Sequence, residues 1–220
     1  MARVREAMQT SRLEAFSDGV FAIAITLLVL DLRVPELGGS GGLRSALGHE
    51  WPQFAAYLTS FLVIGTMWVN HHSMFRQIRY ADRGLLFVNL SLLLWTTLLP
   101  FTTKLMAHYL RGAGSNSHTA AAVYSSDLLL CGVSFSLLWA HALRARLVPH
   151  QMSPAEQRQS ILRFSVGTYI YGATVALAFV SAPITLALQF AINLYYCFEQ
   201  VRARPSDPEL TSDDGGSEPA

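Results

Sequence analysis

Long apolar runs broken by short polar segments set the pattern of this chain. A helix that crosses roughly 30 Å of hydrocarbon needs about 20 mostly apolar residues. Six stretches meet that length: about Leu13 to Val34, Trp51 to Asn70, Gly84 to Leu110, Thr119 to Leu143, Ser160 to Ala182, and a sixth opened by Pro183 and ending near Glu199. Pro100 removes a backbone donor from the third, which is expected to bend or break there. Between the spans, Leu37 to Gly42 reads as flexible linker and Gly112 to Ser117 as a polar loop. The junction Ser181-Ala182-Pro183 is so short that the fifth and sixth helices are expected to form a tight antiparallel hairpin. From Pro205 onward Asp207, Glu209, Asp213, Asp214 and Glu218 appear with no apolar period. The reading is an all-α integral membrane protein, with residues 1–204 a six-helix transmembrane domain and 205–220 a disordered acidic cytoplasmic tail.

Composition agrees with the pattern. Hydrophobic residues make up 51% of the 220 and charged residues only 14%, against about a quarter charged in a soluble domain. This excludes a disordered, coiled-coil or disulfide-rich secreted chain. Sixteen Lys and Arg balance fifteen Asp and Glu, so no basic surplus points to a nucleic-acid partner. Cys131 and Cys197 lie in apolar stretches and say little about redox compartment. The arginines do set an orientation. Arg3, Arg5, Arg12, Arg76, Arg79, Arg83, Arg144, Arg146, Arg158, Arg163, Arg202 and Arg204 fall on one side, and Arg33, Arg44, Lys104 and Arg111 on the other. The positive-inside rule then puts both termini in the cytoplasm of a multi-pass inner (plasma) membrane protein. A cleaved signal peptide competes for the N-terminus, but no small-x-small site follows Val20 to Leu30.

The first span is unlike a plain anchor. Gly19 to Leu30 makes about 18 Å of helix, too short to cross, so the span extends back through Asp18 or forward through Asp31. The first choice puts a carboxylate in the membrane region, where such groups mark pathways or interhelical pairs. Capping of the helix by Ser17 and Asp18 at the interface is the plainer alternative. Arg12 lies roughly 240° around the helix from Asp18 at 100° per residue, and Glu14, the i,i+4 neighbour, has the wrong sign. A donor must therefore come from another helix. Trp68, Asn70, His71 and His72 crowd the matching end of the second span. The expected contact is Asp18 with His71 or His72, with the Trp68 indole as a second donor.

Arg12-Leu13-Glu14-Ala15-Phe16-Ser17-Asp18, read as R-x-x-x-F-S-D, resembles the signature of the transmembrane protein 175 family of potassium channels. The run Trp68-Val69-Asn70-His71-His72 also looks familial. The resemblance implies the single-repeat prokaryotic type: six spans per subunit and a homotetramer whose first helices surround a central pore. It places the constriction at Ile23, with Leu27 and Leu30 one and two turns further on and Thr26 as a polar pore-lining position. Arg12, Phe16, Ser17 and Asp18 would tie the first helix to its neighbours. Periodicity alone leaves Ile23, Leu27 and Leu30 as a stripe that faces lipid or a neighbouring helix equally well. No T-V-G-Y-G run is present to build a carbonyl filter. A ring of isoleucine and leucine would gate by dewetting and tax dehydration, giving a modest preference for potassium as the permeant ion.

Other polar positions are read as structural. Adjacent His71 and His72 diverge by about 100° and cannot chelate one metal from one face, and a site shared with His108 and His141 is remote. No metal and no cofactor is expected. Asp127, flanked by Ser125 and Ser126, either lines a water-filled vestibule or bonds a neighbouring helix, the latter favoured. Lys104 is expected to snorkel, Gln189 and Asn193 to glue helices, and Gly172 with Ala176, and Ala178 with Ala182, to permit close helix contact. No nucleophile with a base, phosphate loop or ligand cluster suggests an enzyme. The alternative function is a proton-coupled or small-solute carrier using Asp18 and His71 or His72, against which the chain lacks the internal repeat common in carriers.

Overall fold

The computed structural model describes residues 8–35, 42–112, 114–148 and 153–202. The glycine-rich segment 36–41 and the acidic tail 205–220 lie outside them, as do Arg3, Arg5 and Arg204. The described chain is helical apart from one two-residue pairing: α1 Thr10–Leu27, continued by a 3-10 turn Leu28–Asp31, then α2 Gly42–His49, α3 Trp51–Phe75, α4 Arg83–Tyr109, α5 Ser115–Arg144, α6 Pro154–Ala178 and α7 Ala182–Arg202. Among the described residues seven α-helices therefore stand where six were expected. The addition is α2, eight residues with no buried side chain, which the glycine-rich reading of that region obscured.

Helices α1 with its 3-10 turn, α3, α4, α5 and α6 are long and apolar enough to cross a membrane, while the apolar part of α7, Ala182–Cys197, is shorter. The first span starts earlier than expected, at Thr10, and the fourth starts at Ser115 because Ser115 to Ser117 belong to the helix rather than to the loop. Gly114, at φ 97°, makes the turn into it. Neither does Pro100 break α4, which runs through it. Its ring deletes one i→i−4 bond, and the Thr103 hydroxyl donates to the Leu99 carbonyl (2.6 Å) on the next turn.

Caps fix several ends. Asp82 accepts from the Leu85 backbone at the start of α4 (2.7 Å), and Ser153 with Glu156 forms a reciprocal box at the start of α6. The linker after α3 is held twice: Met8 and Gln9 pair antiparallel with Tyr80 and Ala81 as strands β1 and β2, and the Arg79 amide donates to Leu147 beyond α5 (3.0 Å). The N-terminal arm that leads into α1 is thereby tied to the connection between α3 and α4.

Helix α5 is the hub, packed against α4, α6 and α7, while α1 packs on α3 and α4. Apolar burial drives helices together weakly in lipid, so close packing and interhelical hydrogen bonds carry the fold. Both are present. A Cβ on Gly132 would sit 3.0 Å from the backbone nitrogen of Thr168, so α5 and α6 approach as closely as a glycine allows. Ser60 of α3 bonds Thr103 of α4 (2.6 Å) and Tyr124 of α5 (2.8 Å) in one buried layer. Gln189 of α7 donates to Ser125 of α5 (2.9 Å) and Thr174 of α6 (3.1 Å), and Tyr171 donates to Asn193 (3.2 Å). Gln189 and Asn193 are helix glue.

Candidate functional site: the two faces of the first helix

Helix α1 has a sharp division of labour. Leu13, Ser17, Phe21, Ala24 and, at the turn, Leu28 are buried against α3 and α4. The opposite face carries Arg12, Phe16, Gly19, Ile23, Thr26, Leu27 and Leu30, all exposed. Ile23 is 59% exposed, Leu27 42% and Leu30 74%. Periodicity in the sequence cannot separate these faces because nearly every position is apolar. The partition comes from which side chains find partners on α3 and α4.

The motif residues divide the same way. Arg12 and Phe16 stand on the open face. Ser17 is fully buried, its hydroxyl donating to the Leu13 carbonyl (2.9 Å) and accepting from the Asn89 amide of α4 (2.9 Å). The Asn89 carbonyl in turn faces His71 Nε2 of α3 (2.9 Å). Since that oxygen can only accept, His71 must carry its proton on Nε2. The His71 ring is held between Phe75, stacked at 4.3 Å, and the edge of Phe21 at 5.4 Å. One hydrogen-bonded line thus runs from α1 through α4 to α3.

Asp18 occupies the flank between the faces. Its Oδ1 accepts from the Trp68 indole at 2.9 Å, and the Trp68 ring lies stacked beside His72 (6.4 Å). The expected Asp18–histidine hydrogen bond is not made: His71 is turned inward to Asn89, and the second donor considered, Trp68, takes its place. Trp68 and His71 stand only about 60° apart around α3, but Trp68 is on the exposed side toward Asp18, whereas His71 points into the buried seam and is held there by Asn89, Phe21 and Phe75. Asn70 is half-buried on the same turn. Asn89 was missed in the sequence because a lone asparagine inside an apolar run gives no signal of what it faces.

Thr26 donates its hydroxyl to the Ala22 and Ile23 carbonyls (2.9 Å each). A hydroxyl whose hydrogen is committed to its own helix presents only lone pairs outward, the polarity a cation prefers. At the far end of the helix Lys104 of α4 reaches Asp31 (2.8 Å), where it pairs rather than simply snorkelling. Among the described residues no group of three or more His, Cys, Asp or Glu is placed to hold a metal.

The sequence profile described as endosomal/lysosomal potassium channel TMEM175 matches residues 12–100, which include both motif runs. A potassium channel from Streptomyces collinus is 49% identical over 88% of this chain and 94% of its own length. The chain belongs to the TMEM175 family. A potassium channel from Chamaesiphon minutus is 38% identical over 89% of this chain and 97% of its own. The crystal structure of a lysosomal potassium-selective TMEM175 homolog from Chamaesiphon minutus superposes with a TM-score of 0.76, covering 86% of this chain and 97% of that one. The fold also matches that of a variant of the potassium channel MtTMEM175 crystallised with a nanobody fusion protein, with a TM-score of 0.59 at 19% identity over 92% of this chain and 97% of that one. TMEM175 proteins of this kind are ion channels and not enzymes.

Proposed function

We propose that this potassium channel conducts through a central pore lined by the open face of α1 from four copies of the chain, with Ile23 at the constriction and Leu27 and Leu30 above it. One observation carries the reading. Helix α1 packs on α3 and α4 with one side and, among the described residues, leaves a full opposite face from Phe16 to Leu30 exposed. A single copy of α1 cannot enclose a conduit, whereas copies arranged about a closed cyclic axis can. The line Ser17–Asn89–His71 and the Trp68–Asp18 bond hold that helix at a fixed rotation, and so fix which side chains meet on the axis.

Such a ring offers no ligand to replace hydration water. It closes by dewetting and admits the ion that sheds water at lower cost, which favours potassium over sodium modestly. Thr26 oxygens next to the ring supply partial compensation. Arg12 and Phe16 line the same face nearer the proposed cytoplasmic mouth. The six crossing segments would be α1, α3, α4, α5, α6 and α7, the last about 31 Å long by its 21 residues, with α2 outside the bilayer. The arginines that flank α3, α4 and α5 support a cytoplasmic position for their shared end, in an inner membrane.

Recording from purified, reconstituted protein in asymmetric potassium and sodium tests this. Ile23→Ala should widen the ring, raise leak and lower the potassium-to-sodium preference. Wild-type currents in both Ile23→Ala and Leu27→Ala remove these residues from the pore. Native mass spectrometry checks the four copies. The carrier reading has little left, since neither His71 nor His72 is the hydrogen-bond partner of Asp18.

A further inference from the structure

Away from α1, a cavity of about 340 Å³ opens between α4 and α5, with Phe179 at the end of α6 closing one side. Its walls are mainly carbon. Trp95 and Phe179 supply aromatic surface, and Thr102, Thr119, Ser126 and Asp127 the polar atoms. Asp127 is 3% exposed. One carboxylate oxygen, Oδ2, accepts from the Thr102 hydroxyl (2.8 Å), so the helix-to-helix bond expected of Asp127 is made. The other oxygen, Oδ1, is buried with no hydrogen-bond partner.

A buried acceptor left unpaired is unusual and calls for a partner, the more so for a carboxylate inside a membrane span. Asp127 lies about 18 Å along α5 from its start at Ser115. Thr119 and Phe179 mark a route toward that same end. Asp127 and Thr102 both line the cavity, and the broad χ2 well of aspartate lets the carboxyl turn as a unit to bring an oxygen toward it. The volume is in the range of small-molecule pockets. Water would meet few polar atoms here, and a bare potassium ion far fewer oxygens than its hydration shell provides. A primary ammonium on a short hydrocarbon or aromatic body matches every feature: charge and donors for Asp127, cation–π surface from Trp95 and Phe179, and carbon walls for the rest.

We propose that this cavity is a binding site for a small lipophilic organic ammonium, held by Asp127 and separate from the α1 face. The site does not rest on the pore assignment. Its position suits regulation, because Thr102 is two residues from Lys104, which grips Asp31 at the end of the α1 segment.

Isothermal titration of the purified full-length protein with phenethylammonium tests it. Expected are one ligand per chain, an affinity at least about tenfold above that of the neutral isostere 2-phenylethanol, and a similar loss in Asp127→Asn. Ala122→Phe, which fills the cavity and leaves Asp127 in place, should abolish binding, and it decides the matter if Asp127→Asn does not fold. Absence of binding overturns the proposal. So does equal affinity for the alcohol, which would leave Asp127 a structural partner of Thr102 only. Retention of binding in either folded variant, or one ligand per assembly as for a pore blocker, overturns it too.

Discussion

Single residues in this protein matter according to what they leave behind when removed. Asn89 connects Ser17 to His71, and both of those are buried. Asn89→Ala strands the His71 imidazole N–H away from water, at a cost of about 1–3 kcal/mol, while the Ser17 hydroxyl keeps its bond to Leu13. Asp18→Ala removes one bond on an exposed flank. Thermal unfolding in one detergent should therefore rank Asn89→Ala well below Asp18→Ala, and Asp18→Ala below or equal to Glu14→Ala. An Asn89→Ala protein that melts with the wild type would show that the buried line does not hold α1. The motif residues of the sequence thus have different work. Ser17 belongs to the interior, Asp18 to the flank, and Arg12 and Phe16 to the open face.

Between helices, the decisive feature is how closely backbones approach. Gly132 meets the backbone of α6 where any Cβ would be 3.0–3.3 Å from main-chain atoms that cannot swing aside. Gly132→Ala should separate α5 from α6 and cost about 1–3 kcal/mol, the usual range for overpacking. At Gly172 a Cβ would meet only the tip of Leu129 at 3.9 Å, so Gly172→Ala should be tolerated. Melting temperatures of the two variants check the contrast. The sequence singles out Gly172 and not Gly132, although each is a small residue in an apolar run. Only the facing helix separates them. Six of the seven helices among the described residues were legible as apolar runs, although the apolar part of the last, Ala182–Cys197, is shorter than the other five. Their ends were less so, because Ser115 to Ser117 and Thr10 to Arg12 are polar residues that cap or extend a helix as readily as they form a loop.

In the proposed assembly, the α1 face and its outer mouth would determine conduction. Asp31 follows Leu30 directly and is partly neutralised by Lys104 at 2.8 Å. Lys104→Gln should leave a negative charge beside the proposed mouth and raise single-channel potassium conductance at low ionic strength. The gain should fade toward about 1 M salt, where the Debye length falls to about 3 Å. A salt-independent change, or none, would place Asp31 away from the ion path.

The sequence by itself determined that the chain is an integral membrane protein with its arginines gathered at one set of helix ends, since length, apolarity and charge are properties of composition along a line. It also carried the family, through Arg12, Phe16, Ser17, Asp18 and the run from Trp68 to His72, because those residue types at that spacing are rare. The tertiary structure decided which face of α1 is buried, that Trp68 rather than a histidine bonds Asp18, that Asn89 links three helices, and that Asp127 borders a cavity. Each of these depends on the rotation of one helix about its axis relative to another. In a helix that is apolar all round, no pattern of residues encodes that angle, and only the partners across the interface set it.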